Sequence, residues 1–415
     1  MSESIVEFLV SSDAGVIEKS VPTKRMIEVS LRAPKAARRE SRPSFNLALV
    51  LDVSGSMAGD KLAYTKRAAA YLLDQLRESD QAALVVYDSE VLVLAEMQAM
   101  SQEHRSQIRH KIDLLKAGSM TNLSGGWLEG CRQVGLVHAS GAVNRALLLS
   151  DGLANVGITD REELGEHARQ LSQRGVTTST FGAGNDYDEH LLEVIANQGD
   201  GNYYYIDQAN SIPEIFRREL EEIAAITLQE VTLTITIPPH TSLQIPGEWR
   251  TGQLGDQLKV SVGDLASEQQ RCLYLEVLAP PSEGSTLEIR LALHARTPDG
   301  QEIQRETQVV FAYGSAKDVE NAARDGGLLE RYYIVSTAQV ASESLRLERE
   351  GRRAEADRLL ERQLAAAKPF MSEDISNGYH RLRQNMSQGL DMGERKAASQ
   401  EQYRIKRSKN QDPDK

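Results

Sequence analysis

Cysteine is almost missing from this chain, with only Cys131 and Cys272 in 415 residues. A lone pair so far apart in sequence reads as two reduced core thiols and excludes a disulfide-stapled framework. Long apolar runs are missing as well. No stretch approaches the roughly eighteen consecutive apolar residues that would cross a bilayer, so membrane insertion is not expected. The opening residues, MSESIVEFLVSSDAG, show no basic segment followed by an apolar core. No secretory signal is read there, and a cytoplasmic location is expected. Positive charge is in deficit too: the formal net charge is −12, which repels phosphate backbones and suits cations. Nucleic acid is therefore not an expected partner.

The usual signs of catalysis are equally sparse. No Gly-x-Ser-x-Gly elbow surrounds Ser54, Ser56 or Ser124, and Cys131 falls inside a helical pattern, so a nucleophile is lacking. The eight histidines form no i, i+4 ligand pair on an apolar helix, and His104 and His110 read as solvated. Gly182-Ala-Gly184 lacks the third glycine of a dinucleotide fingerprint and reads as a strand-to-loop turn. Gly55 to Lys61 has the wrong spacing for a phosphate loop, and Leu62 stands where Ser or Thr belongs. An aspartate after a first strand also marks phosphoryl-transfer enzymes. There the residue two positions on is usually acidic, whereas here it is Ser54.

What is present is an ordinary globular composition, 40% hydrophobic and 26% charged, over a length that suits two or three domains. Residues 1–43 read as strands, at Ile5 to Val10 and at Arg25 to Leu31, ending in a proline-marked linker. From 44 to 226, short apolar strands alternate with helices of ten to fifteen residues. That pattern implies a doubly wound, mostly parallel α/β sheet. Residues 227–314 return to alternating strands, such as Val231 to Ile237. Neither 1–43 nor 227–314 has enough strands for a sandwich alone, so one β-sandwich is expected from both, with the α/β domain inserted between them. Residues 315–394 read as helical, with Gly351 as a break, and 395–415 as a basic, flexible tail.

The informative residues close two of the buried strands. One strand runs into Asp52-Val53-Ser54-Gly55-Ser56 and a later one into Ser150-Asp151-Gly152. In an open α/β sheet these strand ends border the crevice where ligands bind. Gly55 lets the loop turn so that both serine hydroxyls point inward. Two carboxylates and two hydroxyls make an all-oxygen site, which selects hard cations. That donor set suits octahedral Mg²⁺ or Mn²⁺ better than a larger Ca²⁺ cage.

Asp52-x-Ser54-x-Ser56 after a buried strand resembles the metal-ion-dependent adhesion site of von Willebrand factor A domains, over about residues 44–226. The resemblance implies a third hydroxyl, which falls on Thr121 in Gly118-Ser-Met-Thr-Asn-Leu-Ser124, and matches Asp151 to the family's second aspartate. Met120 departs from the small residue commoner before that threonine. The flanking strands and helical end resemble bacterial cytosolic-type members and the inter-alpha-trypsin-inhibitor heavy-chain group. The expectation is therefore a non-enzymatic, metal-dependent protein-binding module acting as a scaffold or assembly factor. Asp52, Ser54, Ser56, Thr121 and Asp151 would hold the metal, and a partner's Asp or Glu would complete its shell. The alternative is a Mg²⁺-dependent hydrolase or phosphotransferase using Asp52 and Asp151.

Overall fold

The computed structural model describes residues 6–36, 42–139, 141–184 and 187–407. The linker around 37–41 and the last eight residues of the expected tail lie outside them. The described chain divides into two compact units. One combines Met1–Lys35, Glu230–Arg296 and Glu302–Lys415; the other comprises Ala36–Gln229 and Thr297–Gln301.

The first unit opens with β1 (Glu7–Ser12), β2 (Val16–Glu18) and β3 (Thr23–Arg32). The chain then enters the α/β unit. Its strands are β4 (Phe45–Asp52), β5 (Gln81–Tyr87), β6 (Val91–Ala99), β7 (Val143–Ser150), β8 (Thr177–Ala183) and β9 (Asp200–Ile206). Its helices are α1 (Asp60–Gln75), α2 (Gln102–Asp113), α3 (Leu123–Leu136), α4 (Arg161–Gln173), α5 (Glu189–Gln198) and α6 (Ile212–Ala224). The sheet order is β6-β5-β4-β7-β8-β9, parallel throughout except for β6, which runs antiparallel to β5. Every residue of β4 and β7 is buried, which fits the apolar runs Leu47–Leu51 in β4 and Ala146–Leu149 in β7. Side chains of Ser101, Asn122, Asp160 and Asp188 cap α2, α3, α4 and α5, so each of these helices starts where its sequence supplies an acceptor.

The later strands are β10 (Ile226–Thr236), β11 (Ser242–Gln244), β12 (Arg250–Leu254), β13 (Gln257–Ala266), β14 (Gln270–Ala279), β15 (Thr286–Arg296) and β16 (Glu302–Gly314). They share two sheets with the N-terminal strands: β1-β3-β14-β11 and β12-β13-β10-β15-β16-β2. β3 lies between β1 and β14, pairing with the latter from Thr23↔Ala279 to Arg32↔Gln270. The α/β unit is thus inserted between strands of one β-sandwich, as the two strand-poor stretches imply. β2, β11, β12 and β13 were not legible in the sequence. The first two have three residues each, β12 is mostly exposed, and β13 contains Gly263 at φ +82°.

Helices close the chain: α7 (Ala316–Asn321), α8 (Gly326–Arg349), α9 (Arg353–Ala367), α10 (Glu373–Gln388) and α11 (Met392–Lys406). Leu328, Leu329, Tyr332 and Val335 of α8 pack on Met26 and Tyr274 of the four-stranded sheet. Gly351, at φ +80°, separates α8 from α9 as expected.

The flexible tail expected from Arg395 is corrected: residues 395–406 are helical. Asp391 and Glu394 form a capping box, and Lys396, Ser399, Gln402, Tyr403 and Lys406 are buried. That buried stripe is mostly polar, so apolar periodicity could not reveal it. Its members find partners instead. Lys406 pairs with Glu248, and Tyr379 Oη donates to Gln402 Oε1 at 3.2 Å. Just outside the stripe, Arg395 pairs with Glu348 at 2.9 Å.

His104 is a second correction. It is buried, with Nε2 3.1 Å from the Ala82 carbonyl oxygen, because α2 turns that face toward β5.

Candidate metal site

Strand order reverses between β4 and β7, and the C-terminal ends of both strands deliver an aspartate there. Asp52 is the last residue of β4, and Asp151 immediately follows β7; both are fully buried. Asp52 Oδ1 accepts the Ser54 amide at 2.8 Å, and Oδ2 accepts the Ser150 hydroxyl at 2.8 Å. These bonds fold the chain after β4 back over its own end. Ser54 Oγ then lies 3.1 Å from Ser56 Oγ, and the Ser56 hydroxyl donates to Asp151 Oδ1 at 2.7 Å.

Thr121 arrives from the loop before α3. Its amide donates to Asn155 Oδ1 at 2.9 Å, and its carbonyl accepts the amides of Asn155 and Val156 at 3.2 and 3.3 Å. A second set of bonds ties this loop to the first. Gly118 donates to the Val53 carbonyl at 2.6 Å, and Gly55 donates to that of Ser119 at 2.9 Å. A Cβ on Gly152 would lie 3.3 Å from Thr121 Oγ1 and 3.4 Å from Ser56 Oγ. Both hydroxyls therefore flank one point directly after Asp151, and a side chain there would crowd them. The five residues singled out in the sequence are brought together.

Charge is not balanced at this place. Burial is the main force pushing the Asp52 carboxyl up to about 6, with the Asp151 charge adding to it and the Ser54 and Ser150 hydrogen bonds opposing it. Among the described residues no cation forms an ion pair with Asp52. Asp151 has one: Lys61 Nζ, near the start of α1, donates to its Oδ2 at 2.5 Å. The chemistry on offer is two carboxylates and three hydroxyls. Among the described residues there is no cluster of three or more His, Cys, Asp or Glu. Hard-cation chemistry fits such a donor set, and thiolate or imidazole chemistry does not.

Sequence reasoning missed four supporting groups. Lys61 entered only as part of a failed phosphate loop; its signal was its place in the first turn of the helix after the Asp52 loop. Ser150 could have been noticed as a hydroxyl ending an otherwise apolar strand. Asn155 gave no signal. Neither did Asp88, whose Oδ2 accepts the Ser119 amide at 3.3 Å and whose carbonyl accepts the Asn122 amide at 2.6 Å.

Residues 46–218 match the family model of the von Willebrand factor type A domain. The chain is 32% identical to the uncharacterized protein YfbK of Escherichia coli over 218 residues, 52% of this chain and 37% of that protein. It is 29% identical to the uncharacterized protein sll0103 of Synechocystis sp. over 66% of this chain and 67% of that protein. It therefore spans little more than a third of the first relative and two thirds of the second. Among solved structures, a von Willebrand factor type A protein from Catenulispora acidiphila superposes with a TM-score of 0.73 at 18% identity, covering 99% of each chain. At that identity the likeness shows the fold, across both units' worth of sequence.

Proposed function

With residues 46–218 forming a von Willebrand factor type A domain, we propose that this chain is a divalent-metal-dependent protein-binding module, acting as a scaffold or assembly factor. Asp52, Ser54, Ser56, Thr121 and Asp151 supply the metal ligands. One observation carries the reading: Asp52 is fully buried, hydrogen-bonded through both oxygens, and pairs with no cation among the described residues. An uncompensated buried carboxylate is costly, and a bound cation removes that cost. The neighbouring donors are all oxygens, which favours Mg²⁺ or Mn²⁺ over softer ions, with Ca²⁺ a poorer fit for so few carboxylates.

Three hydroxyls and two carboxylates, some acting through water, leave an octahedral ion an exchangeable position. A partner's Asp or Glu completes it. Loss of one desolvated, charged contact of this kind commonly costs about 2–5 kcal/mol. The partner is a protein; neither nucleic acid nor a membrane is required. No helix among the described residues is long and apolar enough to cross a membrane. Both cysteines are free, which fits a reducing compartment such as the cytoplasm.

The test is capture from native lysate with Mg²⁺ and again with EDTA. Partner retention that needs Mg²⁺ and is lost in Thr121→Ala supports the reading; retention unchanged in both places the interface elsewhere. Turnover of generic phosphoesters that disappears in Asp52→Ala would favour the hydrolase instead.

A further inference from the structure

Lys61 sits in this cluster without having been expected there. Its ammonium donates to Asp151 Oδ2 at 2.5 Å, while Ser56 takes Oδ1 of the same carboxylate. Its side chain is three-quarters buried. It also runs close to Gly184, which follows β8 and adopts φ +79°: a Cβ there would lie 3.3 Å from both Cε and Nζ of Lys61. A left-handed turn with no side chain leaves room for the ammonium that Asp151 holds. The pair is not a solvated surface bridge, because Asp151 itself is fully buried.

The consequence is electrostatic. Asp52, Asp151 and Lys61 together leave a single net negative charge. A divalent ion added to that set makes the cluster net positive; without Lys61 the loaded site would be neutral. We propose that Lys61 is a built-in counter-cation that weakens the site's hold on the metal and strengthens the loaded site's hold on a carboxylate. Repulsion between the ammonium and the dication lowers metal affinity, and the same retained positive charge attracts the incoming anion. By taking Oδ2, Lys61 also reserves one Asp151 oxygen from direct ligation. The inference rests on the metal-site reading above and assigns a specificity-setting role to a residue outside the five ligands.

The test asks for two changes of opposite sign. Mg²⁺ binding is measured by titration calorimetry in wild type, Lys61→Met and Lys61→Gln. Acetate binding to the Mn²⁺-loaded proteins is read as loss of metal-bound water in proton relaxation. The expected result is Mg²⁺ affinity raised at least about tenfold in both variants, with acetate affinity lowered. Lys61→Arg, which keeps the charge, should stay near wild type in both. A merely structural role would weaken both ligands together, and that outcome, or unchanged Mg²⁺ affinity in Lys61→Met and Lys61→Gln, overturns the proposal. Asp52→Asn separates the two readings: Mg²⁺ binding that survives it unchanged overturns the metal site itself and not only the part played by Lys61.

Discussion

In the sandwich-and-helix unit, Asp13 and Glu348 are buried and each lies against an arginine: Asp13 against Arg324 at 2.7 Å, Glu348 against Arg395 at 2.9 Å. The α/β unit treats two of its own buried acids the same way, pairing Asp80 with Arg42 at 2.5 Å and Glu219 with Arg145 at 3.0 Å. Asp52 is as deeply buried as these four and has only hydrogen bonds. A carboxylate neutralised inside the chain builds structure, and removing its partner strands a charge. A buried carboxylate left without a cation costs stability, and a bound cation would offset that cost. The first kind dominates the sandwich unit, and the α/β unit contains both.

The largest break in this contrast comes from deleting residues 1–36. That removes β1 and β3 from the side of β14 and β2 from the edge of β16, so the sandwich unit should lose its cooperative melt and aggregate. A fragment spanning 42–229 should still unfold cooperatively. Calorimetry of both fragments checks this. A monomeric, cooperative melt from 230–407 alone would show that the N-terminal strands are dispensable.

Arg145→Met comes next. It leaves Glu219 buried, with only the neutral donors Ser179, Asn202 and Tyr204, and should cost about 3–5 kcal/mol in denaturant unfolding. Asp52→Asn should move the other way. A folded-state value of about 6 against an ordinary 3.8 means that the metal-free fold binds this proton more tightly than the unfolded chain does. The associated stability is present below about pH 4 and is lost as pH rises through 6. Asp52→Asn should therefore stabilise metal-free protein by roughly 1–3 kcal/mol at pH 8 and hardly at all at pH 4. It should also abolish the rise in Tm expected from Mg²⁺ in wild type. Destabilisation at pH 8 would show that the Asp52 charge is already compensated. The smallest effect belongs to Thr121→Ala, which removes a hydroxyl and little volume. It should change stability by less than about 1 kcal/mol and weaken Mg²⁺ binding by roughly tenfold, read by calorimetry.

How far the sequence reached follows the same division. Asp52, Ser54, Ser56 and Asp151 were legible because each group follows a buried apolar run, Leu47–Leu51 or Ala146–Leu149, after which polar residues stand out. Thr121 came only from a resemblance, since nothing local marks a loop threonine whose own amide is held by Asn155 and whose neighbour Ser119 is held by Asp88. Lys61 was hidden because its partner is 90 residues away. In the other unit the helix α11 was missed for a related reason: its buried face is polar and is satisfied by long-range partners such as Glu248 and Tyr379. Periodicity detects apolar burial. It is blind to charges and amides that are buried because something distant in sequence completes them.

On the metal-site reading, the charge left over at Asp52 is completed by a hard divalent ion held among five oxygen-bearing side chains. Crystals soaked in Mn²⁺ and measured near the manganese absorption edge test it most directly. One anomalous peak per chain is expected, enclosed by Ser54, Ser56, Thr121 and the two aspartates, and absent from Asp52→Ala. A peak at any other place, or one that persists in Asp52→Ala, would contradict it.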